Sequence, residues 1–120
     1  MTWSSVAAVL LALAVMLGAF GAHGLRDRLD AYSMDVYQKA VFYHFIHALG
    51  LLAVSLAPRT ANLVWVQILL VAGSVIFSGS LYLLAITGVR ALGAVTPLGG
   101  VAFIAAWCLL AWELSRRRVE

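Results

Sequence analysis

Residues 63–87 read LVWVQILLVAGSVIFSGSLYLLAIT, a run without one charged side chain. A helix crosses the hydrocarbon of a bilayer in about 20 residues at ~1.5 Å each. Hydrocarbon offers no water to satisfy a stray amide, so an apolar run of this length reads as a transmembrane helix. Three more stretches qualify on either side of it. Trp3 to Ala22 carries no charge, Val41 to Ala57 holds two histidines, and Leu98 to Leu114 holds one acid, Glu113, near its end. The Val41 stretch borrows from Ser33 to Ala40, where Ser33 is the expected N-cap and Asp35 suits a helix start. The last begins at Thr96-Pro97, a capping residue followed by proline at the first helical position. Pro58 to Asn62 and Gly88 to Val95 are short connections that force antiparallel neighbours. The expected fold is all-α, with four transmembrane helices in an antiparallel up-down-up-down bundle. It forms one membrane domain over residues 1–120, with spans near 3–22, 38–57, 63–87 and 97–115.

Composition points the same way. Of 120 residues, 64% are hydrophobic and only 11% charged, which is too apolar for an ordinary water-soluble core. The net charge of +3 comes from eight Lys and Arg against five acids, a balance that gives no nucleic-acid footprint. Cys108 is the single cysteine, which excludes an intrachain disulfide and any zinc or iron–sulfur site built on cysteines. Ala19-Phe20-Gly21-Ala22 ends in small residues of the kind a signal peptidase accepts. No Lys or Arg precedes that first run, however, and it is longer than a signal-peptide core, so it is expected to stay in the chain. Lys and Arg tie between the two sides: Arg59, Arg116, Arg117 and Arg118 against Arg26, Arg28, Lys39 and Arg90. The arginine cluster at 116–118, with Trp3, Trp65 and Trp112 as interface anchors, orients both termini to the cytoplasm. The tie leaves open insertion in both directions and assembly as an antiparallel pair.

Helices in lipid associate through close backbone approach and interhelical hydrogen bonds. Ala14, Gly18 and Ala22 form a small-residue stripe at spacing four, with Leu10 expected to face lipid, while Gln67, Ser74 and Ser78 fall near one line of the third span. Each serine alone is read first as bonding back to its own helix; Gln67 needs a partner or water. His44 and His47 share a helix face beside Tyr43, and His23 sits where the first helix ends. Ionisable residues in a membrane are functional candidates by default. These three imidazoles are read first as neutral, hydrogen-bonding structural groups and second as ligands of a metal or haem. No carboxylate is expected deep in a span to serve as their counter-charge. Gly24 to Lys39 mixes charges with Leu25, Leu29, Tyr32, Met34 and Tyr37, as an interfacial amphipathic stretch or a solvated loop would.

AFGAHGL (19–25), YHFIHALGLL (43–52), FSGSLYLLAITG (77–88) and TPLGG (96–100), in this order, resemble the "domain of unknown function 423" family. Those are small bacterial inner-membrane proteins similar to the animal transmembrane-protein-256 group. The matching positions are Gly21, His23, Gly24, His47, Ser78, Gly79, Ser80, Tyr82, Pro97, Gly99 and Gly100. The resemblance implies a four-span, multi-pass protein of the plasma (inner) membrane and assigns no catalytic role. A polar site between His23, Ser78, Ser80 and the Thr96 helix start is conceivable, with packing ranked ahead of it. No nucleophile, base and orienting group recur at a recognisable spacing, so no enzyme is expected, nor a cofactor or bound metal. Proton-coupled carriage of small cations is also disfavoured, because the first three spans hold no carboxylate. The expected partners are the lipid bilayer and a second copy or another membrane protein. The expected role is that of a transporter-like, channel-like or scaffold subunit, with metal or haem handling through the histidines as the alternative.

Overall fold

A computed structural model describes residues 1–119, with side chains through Arg117. Helix α1 covers Trp3–His23, α2 Ala31–Ser55, α3 Ala61–Gly73, α4 Gly79–Thr87 and α5 Thr96–Val119. A π-helical turn, Ser74–Ser78, joins α3 to α4 without a break, so Ala61–Thr87 is one rod of 27 residues. A 3-10 turn, Arg90–Ala94, leads into α5. The chain is all-helical, with no strand among the described residues. Three of the four rods, Trp3–His23, Ala61–Thr87 and Arg90–Arg117, are long and apolar enough to cross a membrane, with mean hydropathies of 2.3, 2.1 and 1.9 over 18-residue stretches within them. The fourth, α2, is diluted by Asp35, Lys39, His44 and His47.

The helix starts are set by side-chain oxygens. Thr2 accepts from the Ser5 amide at 3.1 Å, Asp30 from the Ser33 amide at 2.7 Å, and Thr60 from the Leu63 amide at 3.2 Å. The N-cap of α2 is therefore Asp30, not Ser33; Ser33 is the third helical residue, whose amide is capped. That hydrogen bond holds the exposed Asp30 carboxyl below its usual range. At the other helix start, Thr96 is the first residue of α5, and its hydroxyl is occupied by Ser80 and the Leu92 carbonyl. Gly88, at φ +72°, ends α4 in the left-handed region that glycine adopts freely.

The rods alternate in direction and bring the chain ends to one end of the bundle. There Thr60 and Asn62 of the α2–α3 turn meet Glu113 of α5, and Arg117 donates to the Pro58 carbonyl. At the opposite end Leu25, Val36, Tyr37, Leu84 and Ala85 form an apolar cluster, with Leu29 and Leu92 packed against it. The stretch from Gly24 to Lys39 leaves Arg26, Asp27, Arg28 and Tyr32 exposed. It is a short turn followed by the first turns of α2, with Leu25 and Tyr37 buried.

Helix α1 packs on α2, and α3 packs on α5. The buried positions of α1 are Ala7, Ala14 and Gly21, at spacing seven. The expected stripe is corrected in register: Ala14 is buried and Gly18 half-buried, but Ala22 is exposed. Tyr37 decides this, because its ring lies where a Gly21 side chain would be, and its hydroxyl donates to the Leu17 carbonyl at 2.5 Å. Leu10 is half-buried against a core cluster of Ala7, Leu51, Val66, Leu70 and Phe103 rather than facing lipid. The outward faces carry Val15, Met16 and Phe20 on α1 and Leu98, Val101 and Ile104 on α5, all exposed.

Candidate functional site

The buried face of α2 carries Tyr37, Ala40, His44, His47, Ala48 and Leu51, spaced three and four apart as one side of a helix requires. Both central histidines therefore point into the bundle. His47 Nδ1 lies 2.8 Å from the Tyr43 carbonyl one turn earlier. A carbonyl only accepts, so Nδ1 carries the proton and a neutral ring leaves Nε2 as an acceptor. The ring stacks on Phe103 at 3.4 Å between centroids and runs parallel to Tyr43 at 6.0 Å. Phe77 closes this group, 4.6 Å from Tyr43 and 5.5 Å from Phe103.

His44 faces the other way along the bundle. Its Nδ1 is 2.9 Å from the Tyr82 hydroxyl of α4, and Tyr82 in turn meets the Tyr37 ring edge-on at 5.2 Å. His44 Nε2 is buried without a partner. One histidine is thus tied to its own helix and the other to a neighbour.

The π turn positions the remaining polar groups. Ser78 donates across to the Ala40 carbonyl of α2 at 2.9 Å, whereas Ser74 bonds back to the Leu70 carbonyl at 2.8 Å. Ser80 lies 2.6 Å from the Thr96 hydroxyl, which links α4 to the start of α5. Gln67, Ser74 and Ser78 are all buried, with Gln67 Oε1 lacking a partner. At Gly99 the α5 backbone lies directly on that of Phe77, and at Gly73 an added Cβ would meet the Phe103 ring at 2.5 Å.

One sequence expectation is corrected here. His23 is exposed at the end of α1 and does not join His44 and His47, so the three imidazoles form no common ligand set. Among the described residues, no three His, Cys, Asp or Glu side chains converge as metal ligands. The conceivable site joining His23 to Ser80 and Thr96 reduces to the Ser80–Thr96 pair. Glu113, which the sequence places near the end of the last span, is only 1% exposed and meets the α2–α3 turn. Asn62 donates to it at 2.8 Å and Thr60 at 3.3 Å, and Arg116 and Arg117 each approach to 3.5 Å. The signal for it was present as an acid with arginines three and four residues on, the spacing of facing side chains on a helix.

A model of the family described as "Protein of unknown function (DUF423)" matches residues 17–100. The chain belongs to that family. The matched segment contains both buried histidines, the π turn and Gly99, and stops short of Glu113. The chain is 51% identical over 100 residues to a UPF0382 membrane protein of Staphylococcus saprophyticus, covering 82% of this chain and 83% of that one. It is 49% identical over 102 residues to the UPF0382 membrane protein YwdK of Bacillus subtilis, covering 82% and 83%. It is 39% identical over 112 residues to the UPF0382 inner membrane protein YgdD of Escherichia coli K12, covering 88% and 86%. No solved structure matches the chain. With its apolar helices, this family membership makes the chain an inner-membrane protein in contact with the lipid bilayer.

The His44–Tyr82 contact gives a measurable expectation. In a double-mutant cycle of His44→Leu and Tyr82→Phe, the coupling read from detergent unfolding should be about 0.5–1.5 kcal/mol, the range of interhelical hydrogen bonds in membrane proteins. Additive losses would mean the two side chains act independently.

Proposed function

We propose that this protein is a four-span scaffold that assembles with a second copy or with another membrane protein. The observation supporting this is the use of its interior polar groups. Tyr37, His44, Ser78 and Ser80 form hydrogen bonds from one helix or rod to the next, so they hold the rods together instead of lining a path for a solute. The apolar outer faces of α1 and α5 are then free for lipid or a partner helix. The proposal includes α2 as a span. Helix α2 carries the chain from the Leu25–Asp30 end of the bundle to the Pro58–Asn62 end, alongside α1 and the Ala61–Thr87 rod. If those neighbours cross the bilayer, α2 crosses with them, its charges confined to the Asp35–Lys39 pair at 3.0 Å near its start.

Two measurements test this reading. Topology reporters fused after Glu120 and within residues 25–30 should report opposite sides of the membrane; equal signal from both positions would indicate dual insertion. Cys108 is exposed on α5, so thiol cross-linking in native membranes should give one discrete adduct that Cys108→Ser abolishes. A monomer under those conditions, together with selective solute flux in proteoliposomes, would favour the channel-like or transporter-like role instead.

A further inference from the structure

At the end of the bundle that holds the chain ends, a cavity of about 280 Å³ opens between α1, α2 and α3. Its polar lining is Thr2 and Ser4 from the start of α1, Ser55 from the end of α2, Arg59 from the following turn and Gln67 from α3, with Trp3 beside them. We propose that this cavity binds the headgroup of an anionic glycerophospholipid, with the phosphate on Arg59 and a headgroup hydroxyl reaching Gln67.

Four features carry the proposal. Gln67 lines the cavity, is only 6% exposed and has no hydrogen-bond partner for its amide among the described residues, so the wall carries a buried polar group that lacks a partner. Arg59 is exposed and forms no ion pair among the described residues, while no carboxylate lines the cavity. The first turn of the 21-residue α1 adds free amides and the positive end of its dipole. Finally, the volume is several times the ~30 Å³ share of one water, which leaves room for a group larger than a bridging solvent molecule.

Together these features select the ligand chemistry. An ionised phosphate suits Arg59, and headgroup hydroxyls, which both donate and accept, suit the amide of Gln67. An ammonium headgroup could also donate, but it would lie beside the guanidinium with no acid among the lining residues to offset it. Phosphatidylglycerol fits this description and phosphatidylethanolamine does not. Glycerol phosphate in solution shares the chemistry without the acyl chains, and the test separates the two sources.

The experiment is a thermal-stability titration of the purified full chain in detergent, with phosphatidylglycerol, phosphatidylethanolamine of the same acyl chains, or free sn-glycerol 3-phosphate. Phosphatidylglycerol should stabilise saturably and be retained in native mass spectrometry. Arg59→Gln and Gln67→Leu should each weaken its apparent affinity about tenfold, whereas Arg90→Gln at the opposite end should not. Leucine at 67 removes the unpartnered amide, so loss of the lipid response in a variant that still folds is expected. Equal stabilisation by both lipids, or an unchanged response in Gln67→Leu, overturns the site. A full response to glycerol phosphate alone overturns the lipid as its ligand.

Discussion

Gly99→Ala should destabilise the bundle by about 1–3 kcal/mol or more, although it adds one methyl group to a helix, because that group has no room in a backbone-to-backbone contact. A Cβ at Gly99 would lie 2.7 Å from Phe77 Cβ and 2.8 Å from its Cα, and would also run into the Phe77 amide nitrogen. Flexible side chains can swing aside, but here the obstacle is the π turn itself, so α5 must move away from the Ala61–Thr87 rod. That movement would also disturb the contact of Gly73 with Phe103, and with it the stack of Phe103 on His47. Gly79, two residues along from Phe77, has nothing within 4 Å of an added Cβ. Gly79→Ala should therefore gain about 0.5–1 kcal/mol from helix propensity alone. Unfolding of both variants in detergent measures the contrast. Similar effects of the two substitutions would mean that the α5 start does not rest on the π turn.

Three of the four rods were legible because an apolar run long enough to cross a bilayer is a signal carried by every residue in it, and α2 was legible from a shorter apolar run, Val41 to Ala57, extended by the turns before it. The start of α2 was misplaced because Asp30 and Ser33 are both good caps three residues apart; which one caps depends on where Leu25 and Tyr37 find their buried sites. The π turn was not legible. Its extra residue rotates the chain after Phe77 relative to the chain before it, and no spacing rule for an ordinary helix contains that shift. Both Ser78 on Ala40 and Gly99 on Phe77 depend on that rotation. The face shared by His44 and His47 did follow from spacing, but their partners did not, since Tyr82 lies 38 residues from His44 and Phe103 belongs to α5. The α1 stripe failed for a related reason. Spacings of four and of seven both pass through Ala14, and only the Tyr37 ring selects Gly21.

Removing the Glu113 carboxylate should be the most damaging single change to a polar group in this protein. Glu113→Ala is expected to lower the melting temperature in detergent by several degrees and to free the α2–α3 turn from the last turns of α5. The carboxylate is the acceptor at which four donors meet: Asn62 and Thr60 from the turn and the α3 start, and Arg116 and Arg117 from its own helix. Without it, Asn62 loses its 2.8 Å bond, Arg116 loses its ion pair, and Arg117 keeps only the Pro58 carbonyl. Glu113→Gln retains an amide oxygen for Asn62 and should preserve more stability than alanine. Neutralising Arg116 and Arg117 together should cost less than Glu113→Ala, because those partners are 56% and 31% exposed and sit at 3.5 Å, where water and salt already weaken the attraction. Moderate salt should accordingly have little effect on the wild type. If the arginine double variant is as damaging as alanine at 113, or if salt reproduces the loss, the charge pairs rather than the buried hydrogen bonds hold this end closed. The order alanine, then glutamine, then the arginine variants is what a shielded acceptor with exposed cations around it requires.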